Sequence, residues 1–345
     1  MKYIVDVPPH IAKRINSIIS RGTYENLSQF AVTAFQNQLL LEETSKEILT
    51  DFVGTSTFET KSAIEQPKNE TSSPVSISFV PDLIKTVSPP DNAKIPNECL
   101  WGQYNRIFPI KITLRVLANL LKENEKIELN ILQSRAVQIA REIGLVLRKE
   151  DKKNRRKYGD MLSSALPVGR NVIKTEKRFI SHFVGYCTRA GRIEGAPGAL
   201  KLLNLFEEND GSCRVGITQS GLGFAAIPNP ILDEENYNRT LSKEESSFYI
   251  KTVFDNLKRE ADLTLAVLNA VQGNKSSPSD LNNAITHFSR GWSQAMINTI
   301  RAGAISRLQE LGLLCRQRKG TRVIYSLTEF GMETLHMYAK SQGGV

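Results

Sequence analysis

The feature that most constrains the fold is a pattern near the C-terminus, where three helical stretches precede two β-rich runs with a basic turn between them. Apolar residues recur at helical spacing between Leu263 and Val271, from Ser279 to Phe288 and from Ser293 to Leu313. The β-rich runs are Leu313–Arg316 and Thr321–Leu327. This order predicts three helices followed by a two-stranded hairpin.

Residues 260–335 resemble winged-helix regulators of the MarR type, which occur in bacteria and archaea. The resemblance rests on Ala304–Leu308, Leu311–Leu314 and Leu327–Gly331. It implies that the third helix enters the DNA major groove and that the hairpin, or wing, meets phosphates or the minor groove. The implied contacts are Ser293, Gln294, Asn298, Thr299 and Arg301 on the helix, and Arg318, Lys319 and Arg322 on the wing. The alternative is a protein-interaction winged helix whose wing charges are solvated.

A weaker copy of this pattern precedes it. Val215–Gly221 parallels Tyr325–Gly331, because each is a strand that ends in Thr-x-x-Gly before another helix. Helical stretches lie upstream of the first copy as well. We predict a first winged helix across residues 105–228, with an insertion.

The net charge of +9 is unevenly distributed. Residues 99–191 hold 19 Lys or Arg against 8 Asp or Glu, and residues 250–345 hold 12 against 7, whereas residues 192–249 hold 5 against 9. A polyanion responds to such local density, because each neutralised phosphate releases counterions. The charge favours a nucleic-acid partner; a solvated basic face is the alternative.

The densest basic run is residues 148–157, with seven basic and two acidic side chains. It follows Gly144, which we interpret as the end of a helix, so we predict a loop. We expect this loop to bind phosphates, with a solvated loop as the alternative. The residues concerned are Lys152, Lys153, Arg155, Arg156 and Lys157.

The first 43 residues form a separate short unit. Lys2–Val7 alternates as a strand does, a helix is predicted up to Gly22, and Ser28 caps a second helix. One strand and two helices in so few residues cannot close a core alone. We expect an intertwined dimer.

This unit resembles a ribbon-helix-helix repressor domain, on the strength of Val7-Pro8, Gly22 and Ser28. The resemblance implies that paired strands enter the major groove and present Lys2, Ile4 and Asp6. It also implies that backbone amides near Ser28 hold a phosphate. Ile4 and Asp6 depart from this role, since neither suits an acidic duplex. Whether the unit reads DNA or only dimerises stays open.

The predicted fold class is mainly α (α+β). Residues 50–98 are rich in Ser, Thr, Pro and Glu, which predicts a flexible linker, with one short strand possible over Val75–Val80. In chain order, we predict a ribbon-helix-helix dimerisation module at 1–43, the flexible linker at 50–98, a winged-helix-like domain with an insertion at 99–230, an acidic connector at 231–249 and a winged-helix domain at 250–345.

No catalytic constellation is evident in the sequence. The four cysteines are far apart, without a CxxC pair, and His182 and His287 lie on apolar helical faces, where a core histidine is the usual role. We expect no enzyme activity, no metal and no cofactor. No run of about 18 apolar residues occurs and the N-terminus does not resemble a signal peptide. We expect a cytoplasmic protein without a membrane partner.

These observations predict a homodimeric, sequence-specific protein that binds double-stranded DNA, and a prokaryotic transcriptional regulator. The alternative is a non-enzymatic adaptor or structural DNA-binding subunit of a plasmid, mobile-element or phage-defence assembly. In that case the linker reaches a protein partner.

Overall fold

The computed structural model describes residues 16, 77–91, 105–157, 159–188, 191–208, 212–288, 291–319 and 322–342, with only the backbone of residues 318, 319, 322 and 339–342. All but residue 16 belong to one compact unit, Ser72–Val345; the other unit is Met1–Thr71. The predicted N-terminal module, with Lys2, Ile4, Asp6 and Ser28, thus lies outside the described residues. The described part is mainly helical with small antiparallel sheets, as the predicted class requires.

Residues 105–227, which we call the first module, alternate helices with short strands. In chain order the elements are α1 (Phe108–Leu120), β1 (Ile127–Glu128), α2 (Leu129–Lys153), α3 (Val172–Phe179) with a π-helical turn (Ile180–Val184), β2 (Tyr186–Cys187), β3 (Ile193–Glu194), α4 (Pro197–Leu202), β4 (Leu203–Glu207), β5 (Cys213–Ile217) and α5 (Gln219–Ala226). Strands β1, β5 and β4 form one antiparallel sheet in that order, and β2 pairs with β3. Helix α1 is buried from Phe108 to Ala118, which is typical of a central core helix.

Helix α2 does not end at Gly144, so the prediction of a loop over residues 148–157 is wrong for its first part. The helix continues to Lys153, and Arg155 then turns the chain with a φ of 50°. A Cβ at Gly144 would lie 2.6 Å from Val168 Cγ1 and 3.0 Å from Leu166 Cβ. Gly144 is small because another segment packs against it, and a glycine inside a helix costs only about 1 kcal/mol relative to alanine.

The predicted acidic connector, residues 231–249, is folded. It contains α6 (Pro230–Glu234) and the start of α7 (Lys243–Asn256). The side chain of Asn229 caps α6, and Ser242 with Glu245 forms a capping box at the start of α7. One acidic side chain of this segment lies in the interior, because Glu245 is fully buried.

Residues 257–342, the second module, contain the predicted helices and hairpin. The elements are α8 (Lys258–Gln272), α9 (Pro278–Thr286), α10 (Gln294–Glu310), β6 (Leu314–Lys319), β7 (Arg322–Leu327) and α11 (Glu329–Gln342). Strands β6 and β7 pair antiparallel from Leu314 opposite Leu327 to Lys319 opposite Arg322. Capping by Ser277 fixes the start of α9.

The two Thr-x-x-Gly motifs make the same joint in both modules. Thr218 and Thr328 each donate a backbone hydrogen bond to the residue that precedes the first hairpin strand, Leu202 O at 3.2 Å and Leu313 O at 3.1 Å. Each hydroxyl also accepts from the amide of the motif glycine, at 3.0 Å from Gly221 and 2.9 Å from Gly331. The parallel predicted from the sequence is confirmed at this joint.

Part of the predicted flexible linker packs on the first module. Ile77, Ile84 and Val87 are buried, and a short 3₁₀ helix spans Pro81–Leu83. The amide of Val87 donates to Ile217 O at 2.9 Å, in an isolated parallel bridge with Thr218. Residues 77–91 are therefore ordered against the fold, because their few apolar side chains find a core to enter.

Candidate nucleic-acid interface

Helix α10 has one buried face and one exposed polar face. Ile297, Ile300 and Leu308 are buried, whereas Gln294 and Asn298 are exposed. The buried residues recur every three or four positions, so the polar ones are left on the solvent side. This face presents amide groups that can hydrogen-bond to base edges in a major groove.

The five predicted contacts on α10 are not equivalent. The Ser293 hydroxyl caps the helix by accepting from Met296 N at 3.3 Å, and the Thr299 hydroxyl donates to Ala295 O at 2.9 Å. Arg301 is half-buried, and its Nε has no hydrogen-bond partner among the described residues. Gln294 and Asn298 are the members best placed to meet a ligand.

Asn282 on α9 is a residue that the sequence did not single out. Its Nδ2 donates to Asn298 Oδ1 at 2.8 Å. This bond ties the orientation of the exposed Asn298 amide to α9. The only sequence signal was a polar residue in a short helix, which is too common to be informative.

The hairpin tip carries the predicted wing residues Arg318, Lys319 and Arg322. Their backbone lies at the end of β6 and the start of β7, and their side chains lie outside the described set. Arg316, lower on β6, is half-buried, and its guanidinium lies against Gly159.

The basic run divides into an anchoring part and an exposed part. Asp151 is buried and accepts from Leu162 N at 2.9 Å, Ser163 N at 3.0 Å and Arg156 Nη1 at 3.3 Å. Arg156 also donates to Tyr237 O at 2.5 Å. These bonds hold the Arg156 guanidinium against the fold, and its predicted role in phosphate binding stays a prediction.

The other four predicted residues of the run are exposed and lie in the last turn of α2 and among the residues that follow it. We call this set the basic turn; its members are Lys152, Lys153, Arg155 and Lys157. Lys153 Nζ lies 3.7 Å from Glu150 Oε1, with 75% of its side chain exposed. An exposed pair of this kind contributes little to stability, so the charge stays accessible to a ligand.

Helix α4 of the first module has no counterpart to the exposed face of α10. In α4, which holds the matching place before hairpin β4–β5, Pro197, Gly198, Ala199, Leu200 and Leu202 are all buried. The described residue after β4 is Glu208, whereas the sequence that connects β6 to β7 is basic. Among its described residues, the first module thus presents no polar helix face at this position.

A buried charge network that the sequence did not reveal joins the first module to α6 and α7. Lys111 Nζ lies 2.9 Å from Glu245 Oε1, both side chains being fully buried, and donates to Phe224 O and Ile227 O at 2.6 Å each. Arg115 makes a two-point contact with Asp233, at 2.8 Å and 2.6 Å. The partners are more than 100 residues apart, and no local pattern marks them.

Burial controls the ionisation of this network. It lowers the pKa of Lys111 to about 8, against the attraction of Glu245, and it raises the pKa of Glu245. Burial also opposes ionisation of Asp233, but hydrogen bonds from Arg115 and from Asn229 N hold the pKa of that carboxyl below its usual value. These charges link α1 to α6 and α7.

A second set of polar contacts joins the two modules. Arg106 donates to Gly159 O at 2.8 Å and to Ser306 O at 3.2 Å, and the Glu310 carboxylate accepts from Ile107 N. Arg307 and Glu260, both buried, pair at 3.0 Å within the second module. The C-terminal end of α10 is thereby fixed to the start of α1.

One histidine bonds to the helix that precedes it. His182 is half-buried, burial lowers its pKa, and its Nδ1 donates to Arg178 O at 2.5 Å. Among the described residues, no group of three His, Cys, Asp or Glu side chains is placed to hold a metal ion. A cavity between α7, α8 and α10 measures about 10 Å³, room for at most one water molecule. In the part of the chain that the structure describes, no helix is long and apolar enough to cross a membrane.

Comparison with known proteins adds no relative. No model of a protein family matches the chain, nor does any curated protein or any solved structure.

Proposed function

We propose that this chain is a dimeric, sequence-specific DNA-binding protein that regulates transcription. The proposal is carried by the exposed amide face of α10, with Gln294 and Asn298. This face precedes hairpin β6–β7, whose connecting residues are basic in sequence. A polar helix face reads base edges, and adjoining cations hold the backbone.

The order of elements supports two winged-helix modules. Helices α8, α9 and α10 precede hairpin β6–β7, and helices α1, α2 and α4 precede hairpin β4–β5, with α3 and β2–β3 inserted. The shared Thr-x-x-Gly joint supports a common plan. In this proposal the ribbon-helix-helix module at residues 1–43 pairs two chains, so that the readers are presented twice.

The test begins with DNA selection from a random duplex pool, followed by titration of the selected site. Asn298→Ala and Gln294→Ala are each expected to weaken binding to that site about tenfold, since one good base contact discriminates by about 1–3 kcal/mol. Binding to unrelated duplex should change little. Asn269→Ala and Gln272→Ala, at exposed positions of α8, are matched controls that should bind as the wild type does. Absence of duplex binding at low salt would refute the proposal.

A second candidate is a non-enzymatic adaptor or structural subunit. The buried α4 favours it, since this helix offers no polar face for reading bases and leaves the first module suited to a structural role. Protein that ignores duplex at low salt yet co-purifies with a defined polypeptide from its host would favour this candidate.

A further inference from the structure

The chain just after the basic turn, at Gly159, lies beside the hairpin of the second module. Arg316 on β6 lies so close to Gly159 that a Cβ there would be 2.7 Å from Arg316 Nη1. Arg106 joins Gly159 to α10, because it donates to both Gly159 O and Ser306 O. Two contacts at Gly159 thus place the segment after α2 next to β6 and α10.

The turn is also fixed from within. Buried Asp151 accepts two backbone amides, the Ser163 hydroxyl at 2.6 Å and the Arg156 guanidinium. Gly159 adopts a φ of 105°, which is accessible to glycine and strained for other residues. Charges on such a turn are already positioned, so a ligand that meets them has little backbone ordering to impose.

Cations predominate among the exposed charges around this turn. The four residues of the basic turn are exposed and Asp151 is buried, whereas Glu150 is half-buried and contacts Lys153 and Asn154. Asp160 is the next exposed acid along the chain. A polyanion that reaches the hairpin therefore finds further cations beside it.

We infer that the first module contacts the sugar–phosphate backbone of the same duplex that α10 reads. It does so on the hairpin side of the site, through Lys152, Lys153, Arg155 and Lys157, and not through α4 or the β4–β5 hairpin. This inference rests on the proposed function and extends the length of DNA that the protein contacts. The first module binds phosphates of the DNA that flanks the site read by α10.

The test is a series of duplexes that extend the selected site in steps, up to about one helical turn, about 10 bp, on each side. Wild-type affinity is expected to rise as the flank lengthens. In the variant K152A/K153A/R155A/K157A that gain should disappear, and the slope of log affinity against log salt should become shallower by about 2–4, since each phosphate contact contributes about 0.9. Affinity for the shortest duplex should remain that of the wild type.

A matched control removes four exposed cations elsewhere, in the variant R135A/K174A/K177A/R178A. Arg135 of α2 is about 27 Å along the helix from Lys153, and Arg141, about 18 Å from Lys153, meets Glu176 of α3 at 4.0 Å. The control positions therefore lie towards the other end of α2 from the basic turn. This control should retain the flank-dependent gain. Circular dichroism and thermal unfolding establish that both variants fold.

The outcomes separate this inference from the proposed function. If the wild type binds no duplex, the proposed function fails. If it binds the selected site but the basic-turn variant keeps the full gain from longer flanks, the inference is overturned while the proposed function stands. An equal loss in both variants also overturns it, because the effect would then reflect total charge.

Discussion

The two modules share the same strand–threonine–glycine joint, yet they differ in where some of their polar side chains lie. In the first module Lys111 and Arg115 turn inward, to Glu245 and Asp233. In the second module Arg307 of α10 pairs with Glu260 in the interior, but Gln294 and Asn298 of the same helix face outward. The two modules share an order of elements, but the helix before the hairpin is buried in the first module and presents a polar face in the second.

The difference lies in what covers the third helix. Helix α4 has six residues, five of them buried, whereas α10 has 17 and keeps a solvent face. The insertion before α4, with α3 and the β2–β3 hairpin, packs against this helix: a Cβ on Gly185 would lie 3.0 Å from Leu200 Cδ2 of α4. An insertion that packs against the helix before the hairpin therefore decides whether that helix is exposed.

The largest effect is expected where an inward charge is removed. Lys111→Met should lower the free energy of unfolding by about 3–5 kcal/mol, because it leaves Glu245 buried without its cation. The double variant Lys111→Met with Glu245→Gln should recover part of that loss, since the uncompensated charge is gone. Denaturant titration measures all of them.

Lys152→Met is the matched control, because Lys152 is exposed on the basic turn. It should change stability by no more than about 0.5 kcal/mol. If Lys111→Met lowers the free energy of unfolding as little as Lys152→Met does, the buried and the exposed lysine do not differ in their contribution to stability.

The contrast also shows what the sequence can and cannot reveal. The β6–β7 hairpin and α10 were predictable because their patterns are local: alternation, a turn and helical spacing within about 35 residues. The continuation of α2 through Gly144 was not, because the reason for that glycine is contact with Leu166 and Val168. Lys111 was not either, since its neighbours Ile110 and Ile112 predict a core helix but nothing near them indicates the acid at position 245.

The shared joint can be tested through its glycines. A Cβ would lie 1.8 Å from Leu202 O at Gly221 and 2.1 Å from Leu313 O at Gly331, so the backbone must move in either variant. Gly221→Ala and Gly331→Ala should each destabilise by about 3 kcal/mol, the upper range for overpacking. Equilibrium unfolding in denaturant provides the values.

Gly223→Ala, in the same helix as Gly221, is the control, because its Cβ would meet only the ring of Phe248 at 3.3 Å. Helix propensity favours alanine there by up to about 1 kcal/mol, which offsets the tight contact. A small cost at Gly331 with a large one at Gly221 would mean that the joint is needed only in the first module.

The inward charges also predict a pH dependence. The pKa of Lys111 falls from 10.5 to about 8 on folding, so the unfolded chain binds more protons between these values and stability rises with pH. From pH 8 to 10 the rise should be about 2 kcal/mol from this group. The raised pKa of Glu245 acts in the opposite sense, at lower pH, above its ordinary value of 4.5.

This dependence is measured as the difference between wild type and Lys111→Met, in which the contributions of the tyrosines largely cancel. The difference should grow between pH 8 and 10. A constant difference would show that Lys111 titrates alike in the folded and unfolded chains, and that its burial does not bias its charge.

The smallest expected effect separates the two joints by burial. Thr218 is 1% exposed, and its hydroxyl donates to Leu202 O at 2.9 Å; Thr328 is half-buried and donates to Gly312 O at 2.6 Å. Valine at either position leaves the glycine amide without its cap, which costs about 1 kcal/mol, and more where water cannot replace the bond. Thr218→Val should therefore destabilise more than Thr328→Val.

Thr334→Val is the control, since its hydroxyl bonds to Phe330 O within α11 and caps nothing. Equal losses at Thr218 and Thr328 in thermal unfolding would mean that water does not reach the second joint, and that the two modules are closer in construction than their surfaces suggest.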